Sequence, residues 1–217
     1  MSPAPPPPAR GRPQAARAAL IGHRIIEAAW GLLVDVGPEA FTIDALALRA
    51  RASKQTIYAR FAGKQPLLAA VLASRLRRIL AAVEEGGPAP SPLAHLADLA
   101  ARAVLALSEP EARLFDRLID WIDNAEPAST QPTGTQPTRR AVYAGFHAAA
   151  EGHLAHFCAR WQCRLEDLPA VAAFWVEGLV GHVRCAITDA DGHRDWAHAY
   201  AAHFLRAQGW AGNGRAD

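Results

Sequence analysis

Between Ser53 and Lys64 the chain sets Lys54, Gln55, Thr56, Tyr58, Arg60 and Lys64 around two apolar residues four apart, Ile57 and Phe61. The polar set carries amide, hydroxyl and cationic donors, with neither a nucleophile beside a base nor a group of metal ligands. Its chemistry is therefore recognition. A Gln amide can hold an adenine edge through two hydrogen bonds, and Lys or Arg a guanine edge. A Thr methyl or an aromatic ring can rest on a thymine methyl. Cations also hold phosphate oxygens without regard to sequence. On a helix Ile57 and Phe61 fall on one stripe, so burying that stripe turns the polar set outward. Lys54, Gln55 and Thr56 are read as facing bases, and Tyr58, Arg60 and Lys64 as holding phosphate.

Such a helix needs supports, and the flanking sequence supplies them. Ser53 is of the type that caps a helix start. Thr42 plays the same part for "IDALALRA", whose Ile43, Leu46 and Ala47 point inward. Further upstream Ile25, Ile26, Ala29, Trp30, Leu33 and Val34 form a helical stripe that stops at Gly37 and Pro38. Two short helices joined by a tight turn at Arg51 and Ala52 form a helix-turn-helix. Free N–H groups at Thr42 and Ser53 suit phosphate oxygens, and Arg51 adds a cation at the turn. Ahead of the first helix, "RGRP" resembles the core of an AT-hook. Arg10 and Arg12 are read as an arm against phosphate or the minor groove.

The charge distribution points the same way. The 217 residues carry a net charge of only +2. Residues 1–80, however, hold twelve Lys and Arg against four acids, and the remainder eleven against seventeen. Both lysines of the chain lie in the stretch described above. A basic amino-terminal module on an acidic body is the asymmetry expected when one end meets a polyanion. Three cysteines at irregular spacing (Cys158, Cys163 and Cys185) read as reduced thiols. "MSPAPPPPARGRPQ" has no apolar core of a signal peptide, and no run is long enough to cross a membrane. A cytoplasmic location without membrane partners is expected.

The remainder reads as helix throughout. Residues 1–16 are expected to be a disordered Pro- and Arg-rich tail, 17–65 the helix-turn-helix domain, and 66–217 a helical body. Helical patterns run over about 65–83, 91–108, 109–124, 138–162, 168–188 and 192–208. "AEPASTQPTGTQPT" is the one long loop. The fold class expected is all-α with about nine helices. The body has no phosphate-binding glycine loop, serine elbow or HExxH, so no catalytic residue and no cofactor is assigned. Among its aromatic and histidine residues, Trp121, Phe146 and His147 are the expected members of an apolar effector pocket. His153 and His156 are three apart, but Cys158 and Cys163 fall at other angles of the helix, so no metal site is assigned.

From Arg24 to Leu68 the run "RIIEAAWGLLVDVGPEAFTIDALALRARASKQTIYARFAGKQPLL" resembles the DNA-binding domain of the TetR family of bacterial transcriptional regulators. The marks are "II.AA", Gly37, Thr42, Ala47 with Ala50, Ser53-Lys54, Thr56-Ile57-Tyr58, Phe61, Lys64 and Leu67-Leu68. The resemblance implies a homodimer that reads a palindromic operator in double-stranded DNA as a repressor and leaves it on binding a small effector. It also makes residues 66–217 the effector-binding and dimerisation domain and puts the dimer interface on the last two helices. There Gly178 and Gly181 allow close approach, and Val171, Trp175, Leu179 and His182 recur along one face. Two residues depart from the family pattern: Arg51 stands where the turn often has Gly, and Gly31 sits mid-helix. The alternatives are an architectural DNA-binding protein without effector, or a helical enzyme or carrier.

Overall fold

The computed structural model describes residues 12–84, 86–125 and 138–210, with side chains from residue 18 onward except at 125. Among the described residues the regular structure is nine α-helices: α1 (Arg12–Val36), α2 (Ile43–Arg49), α3 (Lys54–Arg60), α4 (Lys64–Glu84), α5 (Pro92–Ser108), α6 (Pro110–Ala125), α7 (Thr138–Trp161), α8 (Leu168–Cys185) and α9 (Ala190–Ala207). The all-α expectation holds. The chain divides into two compact units between Ser74 and Arg75, inside α4 rather than at its start. Residues 1–11, and with them Arg10, lie outside the described residues, as does most of the Pro/Thr-rich loop. Helix α1 begins at Arg12, within the stretch expected to be a tail. Pro13 does not prevent this, because a first-turn residue has no intrahelical acceptor for an N–H to lose.

In the first unit, α1 contributes Ile25, Ala29, Trp30, Leu32 and Leu33 to the core, joined by Phe41, Leu46, Ala50, Ile57, Leu67, Leu68, Val71 and Leu72. Three local devices place the short helices on that core. Gly37, at φ +76°, ends α1 with its N–H on the Leu33 carbonyl, a backbone shape that glycine adopts without steric cost. The hydroxyl of Thr42 accepts from the Ala45 N–H at 3.2 Å and opens α2. That of Ser53 accepts from the Thr56 N–H at 3.1 Å and opens α3. Each cap is worth about 1 kcal/mol.

Gly31 has a structural reason. The Arg49 guanidinium crosses over it on the way to an ion pair with Asp35, and a Cβ there would stand 2.7 Å from its outer nitrogen. Since only the far end of a flexible side chain is in the way, Gly31→Ala is expected to raise stability. The gain in helix propensity is about 1 kcal/mol, less the small cost of moving Arg49. A thermal midpoint below that of the unsubstituted protein would show that the Arg49 position is fixed instead.

In the second unit one cluster gathers α5 (Leu96, Leu99, Ala100, Ala103, Val104), α7 (Ala150, Leu154, Phe157), α8 (Ala172, Trp175, Val176, Leu179) and α9 (Ala197, Ala201, Phe204, Leu205). Helix α5 packs most extensively on α9, where the alanines allow close approach. The apolar stripe of α8 is thus turned into its own unit. Trp175 and Leu179, expected at a dimer interface, are 2% and 4% exposed. Within one chain that stripe is covered by its own unit, since a 3–4 spacing marks a buried face but not what buries it. Gly178 is likewise used internally. The Tyr200 hydroxyl occupies the space its side chain would need, donating to the Trp175 carbonyl at 3.1 Å, and a Cβ at Gly178 would lie 2.2 Å from that oxygen. Val171 is half-buried against the same cluster, and His182 is half-buried against Trp196 and His193. What α8 turns outward is Ala170, Phe174, Glu177, Gly181 and Arg184.

Candidate functional site

Helix α3 is held by the buried Ile57 and half-buried Phe61, and its polar side chains divide by what they touch. Lys54 is exposed but pairs with Asp44 of α2, whose hydrogen bond and charge raise the pKa of its ammonium. Thr56 is half-buried, its hydroxyl 2.8 Å from that of Ser53. Arg60 lies back against α1 at Gly22. Lys64 donates to the Phe41 carbonyl at 2.9 Å and stands 5.4 Å over that ring, and burial lowers its pKa. The Lys64 ammonium therefore ties the turn before α2 to the start of α4. Gln55 and Tyr58, one turn apart on the outer face, are both exposed. Arg51 has φ 47°. A non-glycine residue there costs about 1 kcal/mol or more, and the exposed Arg51 side chain stands just ahead of the capped start of α3. Arg12 opens α1.

The second unit holds two adjoining cavities. The larger, about 420 Å³, lies among α5, α6, α7 and α8 and is lined by Leu107, Phe115, Ile119, Tyr143, Phe146, Val180 and Val183, with Arg113, Asp116 and Arg184 at its charged end. A smaller, apolar void of about 50 Å³ shares Leu107, Phe146 and Val180 with it. Phe146 was expected in a pocket and lines both. Trp121 and His147 line neither. On α7, each residue turns about 100° from the last, which carries His147 away from the face of Phe146. The α6 wall is legible in the sequence as a 3–4 pattern at Ala112, Phe115, Asp116 and Ile119. At the rim, Arg184 donates to both carboxylate oxygens of Asp116, at 2.8 and 2.9 Å, and Arg139 donates to the same carboxylate at 3.2 Å.

Two polar arrangements lie outside these cavities. Ser108 donates its one proton to the Val104 carbonyl at 2.7 Å, so its oxygen accepts from His193 Nε2 at 3.1 Å. The other ring nitrogen of His193, Nδ1, lies 3.0 Å from His182 Nε2, the direction of that bond following from the tautomers. The chain joins α5, α8 and α9, and His182 stacks on Trp196 at 3.9 Å. The second is a polar cavity of about 290 Å³ lined by His95, His153, His156, Arg102, Arg160, Glu84 and Asp98. Among the described residues no three His, Cys, Asp or Glu are grouped to hold a metal ion. Burial, and the nearby Cys158 thiol, push the Cys163 thiol up to about 12.

Burial also lowers the pKa of His95, of His153 and of His182; the cations around His95, and His193 beside His182, act in the same direction. The folded state therefore binds fewer protons than the unfolded chain, and stability rises with pH through that range. It is full above the ordinary histidine value near 6.5 and is lost as pH falls below it. The expected result is a thermal midpoint that drops between about pH 7 and about pH 5, with a shallower slope in His153→Gln. A midpoint flat over that window would contradict it.

Residues 25–71 match the family model of bacterial regulatory proteins of the tetR family. No curated protein matches the chain in sequence. Among solved structures, it is similar to a Mesorhizobium loti protein assigned to the TetR-family transcriptional regulators, at 20% identity and a TM-score of 0.69, covering 88% of this chain and 98% of that one. Salmonella enterica GusR follows at 16% identity, a TM-score of 0.63 and coverage of 88% and 96%. The TetR-family regulator PfmR of Thermus thermophilus stands at 20% identity, a TM-score of 0.52 and coverage of 84% and 97%. The chain carries a TetR-type helix-turn-helix domain within a TetR-like fold. No helix among the described residues is long and apolar enough to cross a membrane.

Proposed function

We propose that this TetR-type regulator represses transcription as a homodimer on a palindromic operator, and that a small, largely apolar effector releases it. The observation that carries the reading is the seating of α3. Its apolar stripe is buried, its start is capped by Ser53, and Gln55, Tyr58 and Arg51 are open to solvent beside it. That is the arrangement a helix needs to enter a major groove with its N-terminal residues on base edges. Thr42 and Ser53 present helix starts to phosphate, and Lys54 has to leave Asp44 before it can reach a base.

Dimerisation supports the reading on geometric grounds, since two half-sites lie ~34 Å apart along a duplex and one such helix reads only one of them. We assign the pairing to the outward face of α8 around Phe174, which is 56% exposed, with α9 alongside. An effector would act by binding one arrangement of the second unit better than another, lowering operator affinity by that difference.

Mobility shift with the DNA flanking the protein's own gene, at several salt concentrations, tests the reading. Retention that requires an inverted repeat and falls steeply with salt is the expected result. Retention of any sequence alike would favour an architectural protein, and none at all would remove the DNA-binding reading.

A further inference from the structure

We propose that the larger cavity takes an amphipathic anion, in the simplest case a straight-chain carboxylate, with its head at Arg113 and Arg184 and its chain length gauged by Phe146. The proposal rests on reading the second unit as the effector-binding one. It does not depend on how the first unit meets DNA.

The cavity has two ends of different chemistry. Beyond the apolar walls, its charged lining is Arg113, Asp116 and Arg184. The Asp116 carboxylate is already taken up by Arg184 and Arg139. Arg113 has no ion pair among the described residues, so the unbalanced charge facing the cavity is positive. A guanidinium receives a carboxylate through two parallel N–H donors, and the neighbouring Arg184 can turn from Asp116 to share it. An ammonium head would find only a carboxylate held by two guanidinium groups. A neutral head would make no use of the Arg113 charge, which is exposed and stays with water.

The other end sets the length. At about 420 Å³ the cavity is in the range of small-molecule sites, and an alkyl chain lying along Phe115, Ile119 and Val183 meets Phe146. Phe146 also lines the smaller void, which continues toward Leu99 and Trp175 with almost no polar surface. Phe146, with Leu107 and Val180, thus stands where the two apolar spaces adjoin, and of the three it has the largest side chain. Removing it would let a longer chain pass.

The test uses the full-length protein and isothermal titration with saturated carboxylates of graded length, below their micelle concentrations, beside primary alcohols and alkylammonium ions of the same lengths. Carboxylates are expected to bind best, with an optimum length. Arg113→Gln should weaken them by roughly tenfold or more, the size of a charged hydrogen bond, and leave the alcohols unchanged. Phe146→Ala should move the optimum to longer chains. Phe146→Leu, which keeps most of the packing, should move it the same way by less. Equal binding of the alcohols or ammonium ions, a length optimum indifferent to Phe146, or no binding by any carboxylate would overturn the proposal. Operator retention, measured on the same preparation without ligand, separates the outcomes. Retention without carboxylate binding sinks this proposal alone, whereas carboxylate binding without retention sinks the regulator reading and leaves the cavity assignment standing.

Discussion

Replacing Gln55 and Tyr58 together by alanine is expected to weaken operator binding by roughly tenfold or more, at about 1–3 kcal/mol for the lost Gln55 base contact, with the lost Tyr58 phosphate contact adding to it. The thermal midpoint should stay where it is, because both side chains are exposed and neither caps α3. The contrast is Lys64→Ala, which removes the bond to the Phe41 carbonyl and should lower stability as well as affinity. Mobility shift and thermal melting on the same preparations separate the two. If the Gln55/Tyr58 double variant retained the operator as tightly as the unsubstituted protein, the outer face of α3 would not be the reading surface.

Trp175→Ala should produce the largest loss of stability. The ring is 2% exposed and meets Phe204 edge-on at 4.7 Å and Tyr200 at 5.0 Å. Deleting a buried aromatic of this kind costs about 3–5 kcal/mol. For a chain of this length that lowers the midpoint by roughly 10 °C. Phe174→Ala, one residue away and exposed, should leave unfolding of a single chain nearly unchanged and weaken self-association instead. Chemical denaturation followed at two protein concentrations distinguishes these. A Trp175→Ala protein that unfolds normally but dissociates would put the Trp175 stripe at a partner's surface after all.

Much of the first unit was legible from the sequence because its information is local. Thr42 and Ser53 cap helices within three residues of themselves, Gly37 ends one, and Ile57 with Phe61 states a face. What residues do across space was not. Lys54 and Lys64 look alike in sequence, yet one meets Asp44, ten positions earlier in another helix, and the other a carbonyl at Phe41. The stripe of α8 was visible as a stripe, but periodicity is the same whether the covering helix comes from the same chain or another copy. The cavity wall at Arg113, Asp116 and Arg184 brings together residues from two helices, and only the packing of α6 against α7 and α8 assembles it.

The placement of the two lysines has a practical consequence. Apart from the amino terminus, every primary amine of the chain belongs to the first unit, so lysine acylation, by reagent or enzyme, falls within the helix-turn-helix unit alone. There the accessible amine, Lys54, is kept protonated by Asp44 and is a poor nucleophile. Lys64 gives up its proton more readily but is shielded by Phe41. Modification should therefore be slow at both. Loss of either charge would remove a cation from the helix-turn-helix unit and leave the cavities of the second unit untouched.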